Sequence, residues 1–173
     1  MWKRDTYHNC AHELQQASDS FREAIARGDA PDSQGTTLEL EQSSKDGVNL
    51  LKILALSVRP EQDFEILKEK ETIVGKWLRK ADPTEIQSYL TGCLQPPIEL
   101  PEAQPLPLRE ALNKIAHANP NPENSSYAAD HDYHQVILTG KQYGCHWIAV
   151  LDILRLCEAI RALPDRSIVS SVM

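Results

Sequence analysis

The chain has 173 residues, 41% of them hydrophobic and 25% charged, enough for one core but not for two full domains. Its net charge of -7 argues against a general nucleic-acid binder, whose non-specific affinity comes from neutralising phosphates, and leaves room for a local basic pocket or a basic partner. No apolar run approaches the ~20 residues of a membrane span, and the first residues carry no apolar leader, so no membrane is expected as a partner and the cytoplasm is the expected address.

Tyr7, Cys10, Leu14, Ala17, Phe21, Ala24 and Ile25 recur at three- and four-residue steps and predict an amphipathic helix over 5–27, stopped by Gly28 and Pro31. His8 and His12 share one side of it at a spacing compatible with a metal. They lack an acidic or thiolate partner at helical spacing and read as a solvated pair. Residues 29–47 are rich in Ser, Asp, Gln, Gly and Thr and predict a loop, with a fragment of helix around Leu38 and Leu40. The run Val48–Val58 is too apolar for a surface helix. It predicts a central buried helix ended by Pro60, with a buried strand the alternative for part of it.

A third helix is expected from Asp63 to Lys80, with Phe64, Leu67, Ile73, Val74, Trp77 and Leu78 toward the core and the charged run 68–71 as a solvated face. Asp82 followed by Pro83 is a start signal for a short helix through about Leu94. Residues 95–107 hold five prolines in thirteen positions and predict a stiff, extended connector packed along the bundle, the alternative being a peptide that docks in an aromatic groove.

Leu108 to His117 lies between prolines and predicts a short helix whose apolar arc is Leu108, Ala111, Leu112, Ile115 and, just beyond, Ala118. A loop is expected from Asn119 through Ser126. Tyr133–Thr139 and Cys145–Val150 are then rich in β-branched and aromatic residues around a glycine-bounded turn, Gly140–Gly144, and predict a β-hairpin over 133–150. A lone hairpin is marginal in water, so it must pack on the helices or on another chain. Leu151–Leu163 reads as a last helix and 165–173 as a loose tail. The expected fold is mainly α: a single domain over 1–173, a bundle of about five helices with a small C-terminal β-hairpin.

Chemistry is sparse. Cys10, Cys93, Cys145 and Cys157 are scattered, with no C-x-x-C pair, and read as reduced, mostly buried thiols. Glycine-rich phosphate loops, the G-x-S-x-G elbow and zinc signatures are missing from the sequence, and neither a metal nor a cofactor is expected. Asp130, His131, Asp132 and His134 are metal-ligand types. Yet the segment enters a strand, where His131 and His134 would diverge, and it reads as an exposed polar edge.

One stripe remains. Arg109, Asn113 and His117 fall at i, i+4 and i+8 beside the apolar arc of their helix. An imidazole can move a proton near neutral pH, a guanidinium can clamp a phosphate, and an amide can orient either. Those parts suit RNA cleavage without a metal. The stripe Leu108-Arg-Glu-Ala-Leu-Asn-Lys-Ile-Ala-His117 resembles the late-helix signature of the HEPN superfamily, an arginine followed by a histidine with a polar residue between. The resemblance covers one helix, and seven residues separate the arginine from the histidine where the family usually has four to six. It implies a metal-independent RNA-cleaving or RNA-binding protein of a bacterial toxin–antitoxin or antiphage system, with Arg109 and His117 as catalytic pair, Asn113 in support, RNA as substrate and a homodimer or protein partner. The alternative is a non-catalytic acidic interaction protein, an inhibitor, antitoxin or complex subunit, docking through the hairpin or the proline-rich segment.

Overall fold

A computed structural model describes residues 6–27, 34–63, 67, 69–92 and 94–164, with side chains left out at residues 6, 34–46 and 122. In chain order the elements are α1 (Thr6–Ala26), α2 (Gln34–Asp63), β1 (Ile73–Leu78), α3 (Pro83–Thr91), β2 (Gln104–Pro107), α4 (Leu108–His117), a short 3-10 turn (Pro122–Asn124), β3 (Ser125–Ala129), β4 (His134–Gln142), β5 (Cys145–Asp152) and α5 (Ile153–Arg161). The strands form one antiparallel sheet in the order β2-β1-β5-β4-β3. The fold is therefore mixed α and β, and the expected helical bundle is corrected. The expected hairpin is the centre of the sheet, and it gains its stability from partners on both sides.

Those partners come from stretches with weak local signals. Residues 73–78, expected inside a helix, form β1, held between β2 and β5. Their apolar positions fit either period over so short a run, and two-sided pairing decides for the strand. Gly75 permits the close approach, because a Cβ there would lie 2.2 Å from the Val150 carbonyl oxygen. The end of the proline-rich stretch is β2, where prolines are tolerated because the strand is at an edge. β3 forms the other edge inside a stretch that reads as loop and turn.

Alternation along β5 sends Trp147, Ala149 and Leu151 to one face, Ile148 and Val150 to the other. The first face meets Leu108, Leu112 and Ile115 of α4, and Leu156 and Ile160 of α5, with α1 and α2 completing the core. The second is covered by Ile86 of α3 and by Ile98 and Leu100 of the proline-rich segment. That segment packs on the sheet, and the Ile98 amide donates to the Gln135 carboxamide oxygen at 2.7 Å.

α1 matches its expectation within a residue. α2 does not: residues 34–47, expected as a loop, are helical and continuous with 48–63, and 29–33 lie outside the described residues. Leu51, Leu54, Ala55 and Val58 are buried, whereas Leu56 is 72% exposed, so α2 is amphipathic and not buried all round. Pro60 does not end it. The ring sits on the exposed side of the last turn, where solvent can serve the carbonyl left without its partner. The Asp82 carboxylate caps α3 by accepting from the Thr84 and Glu85 amides, which holds its pKa below the usual carboxylate value. The expected tail, 165–173, lies outside the described residues.

Candidate functional site

α4 begins without a side-chain cap. Its first amides are instead taken by the loop that leads into β1: Leu108 donates to the Thr72 carbonyl at 2.8 Å and Arg109 to that of Lys70 at 3.0 Å. Glu69 shapes this loop by accepting from the Thr72 amide and hydroxyl and from the Glu71 amide, which lowers its pKa. At the far end the Asn119 amide donates to the Thr139 carbonyl at 2.8 Å, which fastens the exit of α4 to β4.

The stripe on α4 lies along α2, and the two helices run antiparallel. Arg109 pairs with Asp63 on the last turn of α2, and its Nη1 donates to the Asn113 amide oxygen at 3.1 Å. Asn113 donates in turn to Glu110 at 3.3 Å. Arg109 is therefore neutralised by a carboxylate. It also lies about 12 Å along the axis from His117, given a 1.5 Å rise per residue. The three expected site residues share a face, but Arg109 and His117 do not meet.

A different arginine reaches the histidine. Arg59 of α2, one turn before Asp63, places Nη1 3.3 Å from His117 Nε2, and the imidazole is exposed. A guanidinium only donates, so this contact makes Nε2 the unprotonated, accepting nitrogen. His117 also borders a groove of about 500 Å3 between α3, the exit of α4 and the β4–β5 hairpin. Lys141 and His146 line it as well, directly opposite each other in the hairpin register. No carboxylate is among its lining residues.

Lys114 is the other departure from expectation. It is 3% exposed, with its ammonium 4.2 Å from the centre of the Trp77 ring and 4.6 Å from that of Trp147. Glu110 at 3.1 Å and the Gln142 amide oxygen at 3.4 Å complete its surroundings. A cation on the polar arc of α4 is thus enclosed where the helix meets the sheet, which helical periodicity alone does not reveal. Lys141 and His146 were more accessible to sequence reasoning. A two-residue turn at Tyr143-Gly144 fixes the register that pairs them, and alternation puts His146 on the face of Ile148.

Of the remaining candidate histidines, His8 and His134 serve the fold. His8 Nε2 lies 3.0 Å from the Leu163 carbonyl oxygen, and the Tyr7 hydroxyl donates to the Pro164 carbonyl at 2.7 Å, so α1 holds the end of α5. His12 is exposed. His131 and His134 diverge: the first is exposed beside Asp132, while the second stacks on Phe21 and meets the Ser18 hydroxyl at 2.8 Å. Burial, with the Arg22 charge adding to it, pushes the His134 pKa down to about 4. Among the described residues no cluster of three or more His, Cys, Asp and Glu is arranged to hold a metal. Cys10, Cys145 and Cys157 are free thiols, and burial pushes Cys157 up to about 12. Cys93 lies outside the described residues. Among the described residues no helix is long and apolar enough to cross a membrane.

Both strands of the hairpin are interior to the sheet, and Ile98 and Leu100 of the proline-rich segment are buried. Exposed are Gln95, Pro97, Glu99, Pro101, Glu102, Gln104 and Pro105 of that segment, and Tyr143 at the hairpin tip. Comparison with family models, with curated proteins and with solved structures finds no match to this chain.

Proposed function

We propose that this protein binds RNA and cleaves it without a metal, using His117 to move the proton and Arg59 to hold the phosphate. The observation that carries this reading is the 3.3 Å approach of Arg59 Nη1 to His117 Nε2 at the border of an open groove. A phosphate competes for the guanidinium, and Nε2 is then free to accept the 2′-hydroxyl proton. The 2′-oxygen forms its bond to phosphorus as the bond to the 5′-oxygen breaks, and the leaving oxygen takes up a proton. The products are a 2′,3′-cyclic phosphate and a 5′-hydroxyl.

Arg109 and Asn113 enter as positioning residues, since the Arg109–Asp63 pair holds α2 and α4 in the register that brings Arg59 to His117. The HEPN-like helix contributes residues to this reading and not its bundle. The setting that accompanies such an activity is a bacterial toxin–antitoxin or antiphage system, with a second copy or an antitoxin as the protein partner.

The test is cleavage of single-stranded RNA by purified protein in EDTA. Wild type is expected to cut, and His117→Ala, folded by circular dichroism, to lose about a hundredfold or more, the usual contribution of a general base. A folded wild type that neither cuts nor binds RNA would overturn the reading and favour the acidic interaction protein.

A further inference from the structure

Resting on the RNA reading above, we infer that the groove beside His117 binds one nucleotide, with Lys141 and His146 on its phosphate and α3 against its base. The volume of about 500 Å3 falls within the range of small-molecule sites and accommodates a mononucleotide. Two chemically different walls meet in it. On the hairpin side, alternation turns Lys141 and His146 to the same face, and their residues are cross-strand partners. On the α3 side Pro83, Ile86 and Leu90 form an apolar wall. A nucleotide has the same division, a charged phosphate at one end and a flat apolar ring face at the other.

Charge argues for an anion. The chain carries 25 Asp and Glu against 18 Lys and Arg, yet the groove is lined by an ammonium and two imidazoles without a carboxylate. Elsewhere four basic side chains are matched, Arg22 with Asp19, Arg109 with Asp63, Lys114 with Glu110 and Arg155 with Asp152, so the groove is set apart by its lining and not by Lys141 alone. Among the described residues none pairs with the Lys141 ammonium or the His146 imidazole by a hydrogen bond or an ion pair. An ammonium beside the His146 imidazole suits a phosphate, which accepts from both, and leaves His117 Nε2 to accept.

The base would lie along Ile86 and Leu90, with the Gln87 and Asn124 carboxamides able to donate to or accept from its edge. Only an unstacked base can enter, so the site selects single-stranded RNA. Its phosphate then stands at the border that His117 shares.

The experiment is calorimetric titration of the whole protein with a nucleoside 3′-monophosphate, the matching nucleoside and inorganic phosphate. The nucleotide is expected to bind at least about tenfold more tightly than either fragment. Lys141→Ala and His146→Ala are each expected to weaken it about tenfold, as loss of one charge-assisted hydrogen bond does. Lys141 is exposed, so its variant keeps the fold. Equal affinity for nucleotide and inorganic phosphate would reduce the groove to an anion site and overturn the inference, as would equal binding by wild type and Lys141→Ala. RNA cleavage without nucleotide binding overturns this inference alone. Nucleotide binding without cleavage upholds it and overturns only the catalytic reading.

Discussion

Lys114 sits between two indole rings with its charge matched by Glu110, and it joins α4 to the strands that carry Trp77 and Trp147. The stem contributes packing and the ammonium contributes attraction to the rings, so the two should separate on substitution. Lys114→Met keeps the stem and is expected to cost about 1–2 kcal/mol, the range of a desolvated cation–π contact. Lys114→Ala opens a cavity as well and is expected to cost about 2–4 kcal/mol. Urea unfolding measures both, and equal losses would mean that the rings hold only the charge. His134 makes a second prediction. Its pKa falls from 6.5 to about 4 on folding, so above 6.5 both states are neutral and its contribution to stability is whole. As pH falls from 6.5 toward 4 the unfolded chain takes the proton first, and stability is lost. The shift sets an upper bound of about 3 kcal/mol, and partial exposure of the ring brings the expected loss to about 2 kcal/mol. His134→Gln should flatten this part of the pH–stability curve, and an unchanged slope would refute the assignment.

At the level of elements, the β4–β5 turn contains a visible compromise. Tyr143 and Gly144 have φ of 51° and 78°, the doubly left-handed pattern of a two-residue hairpin turn, and Tyr143 is 89% exposed. A tyrosine pays for that conformation without a contact in return. Tyr143→Asn is expected to stabilise the protein by about 0.5–1 kcal/mol in thermal or urea unfolding, and a loss would mean that the ring packs on something. The hairpin was legible because its signals are local: alternation, branched residues and glycines. So were α1, the capped start of α3 and the proline-bounded α4. The edge strands were not, because Gln-Pro-Leu-Pro and Ser-Ser-Tyr-Ala-Ala have little strand character of their own and take it from their neighbours. β1 was misread for the related reason that its apolar spacing fits a helix until both of its edges are paired.

At the scale of the whole molecule the same distinction governs the site. The i, i+4 contact of Arg109 with Asn113 was readable from one helix, and it forms. The partners that decide the roles were not, since Asp63 and Arg59 reach α4 from 46 and 58 residues away. Tertiary packing turns Arg109 toward a carboxylate, brings Arg59 to His117, and sets the hairpin's Lys141 and His146 along the same groove. A chain of net charge -7 thereby keeps a pocket free of carboxylates. The most direct measurement is the RNA cleavage rate in EDTA for Arg59→Ala beside Arg109→Ala, each corrected for its folded fraction. Arg59→Ala is expected to lose about a hundredfold or more, on the scale of removing one group that stabilises transition-state charge, and Arg109→Ala only a few-fold, through positioning. Loss confined to Arg109→Ala, with Arg59→Ala as active as wild type, would contradict the site assigned here.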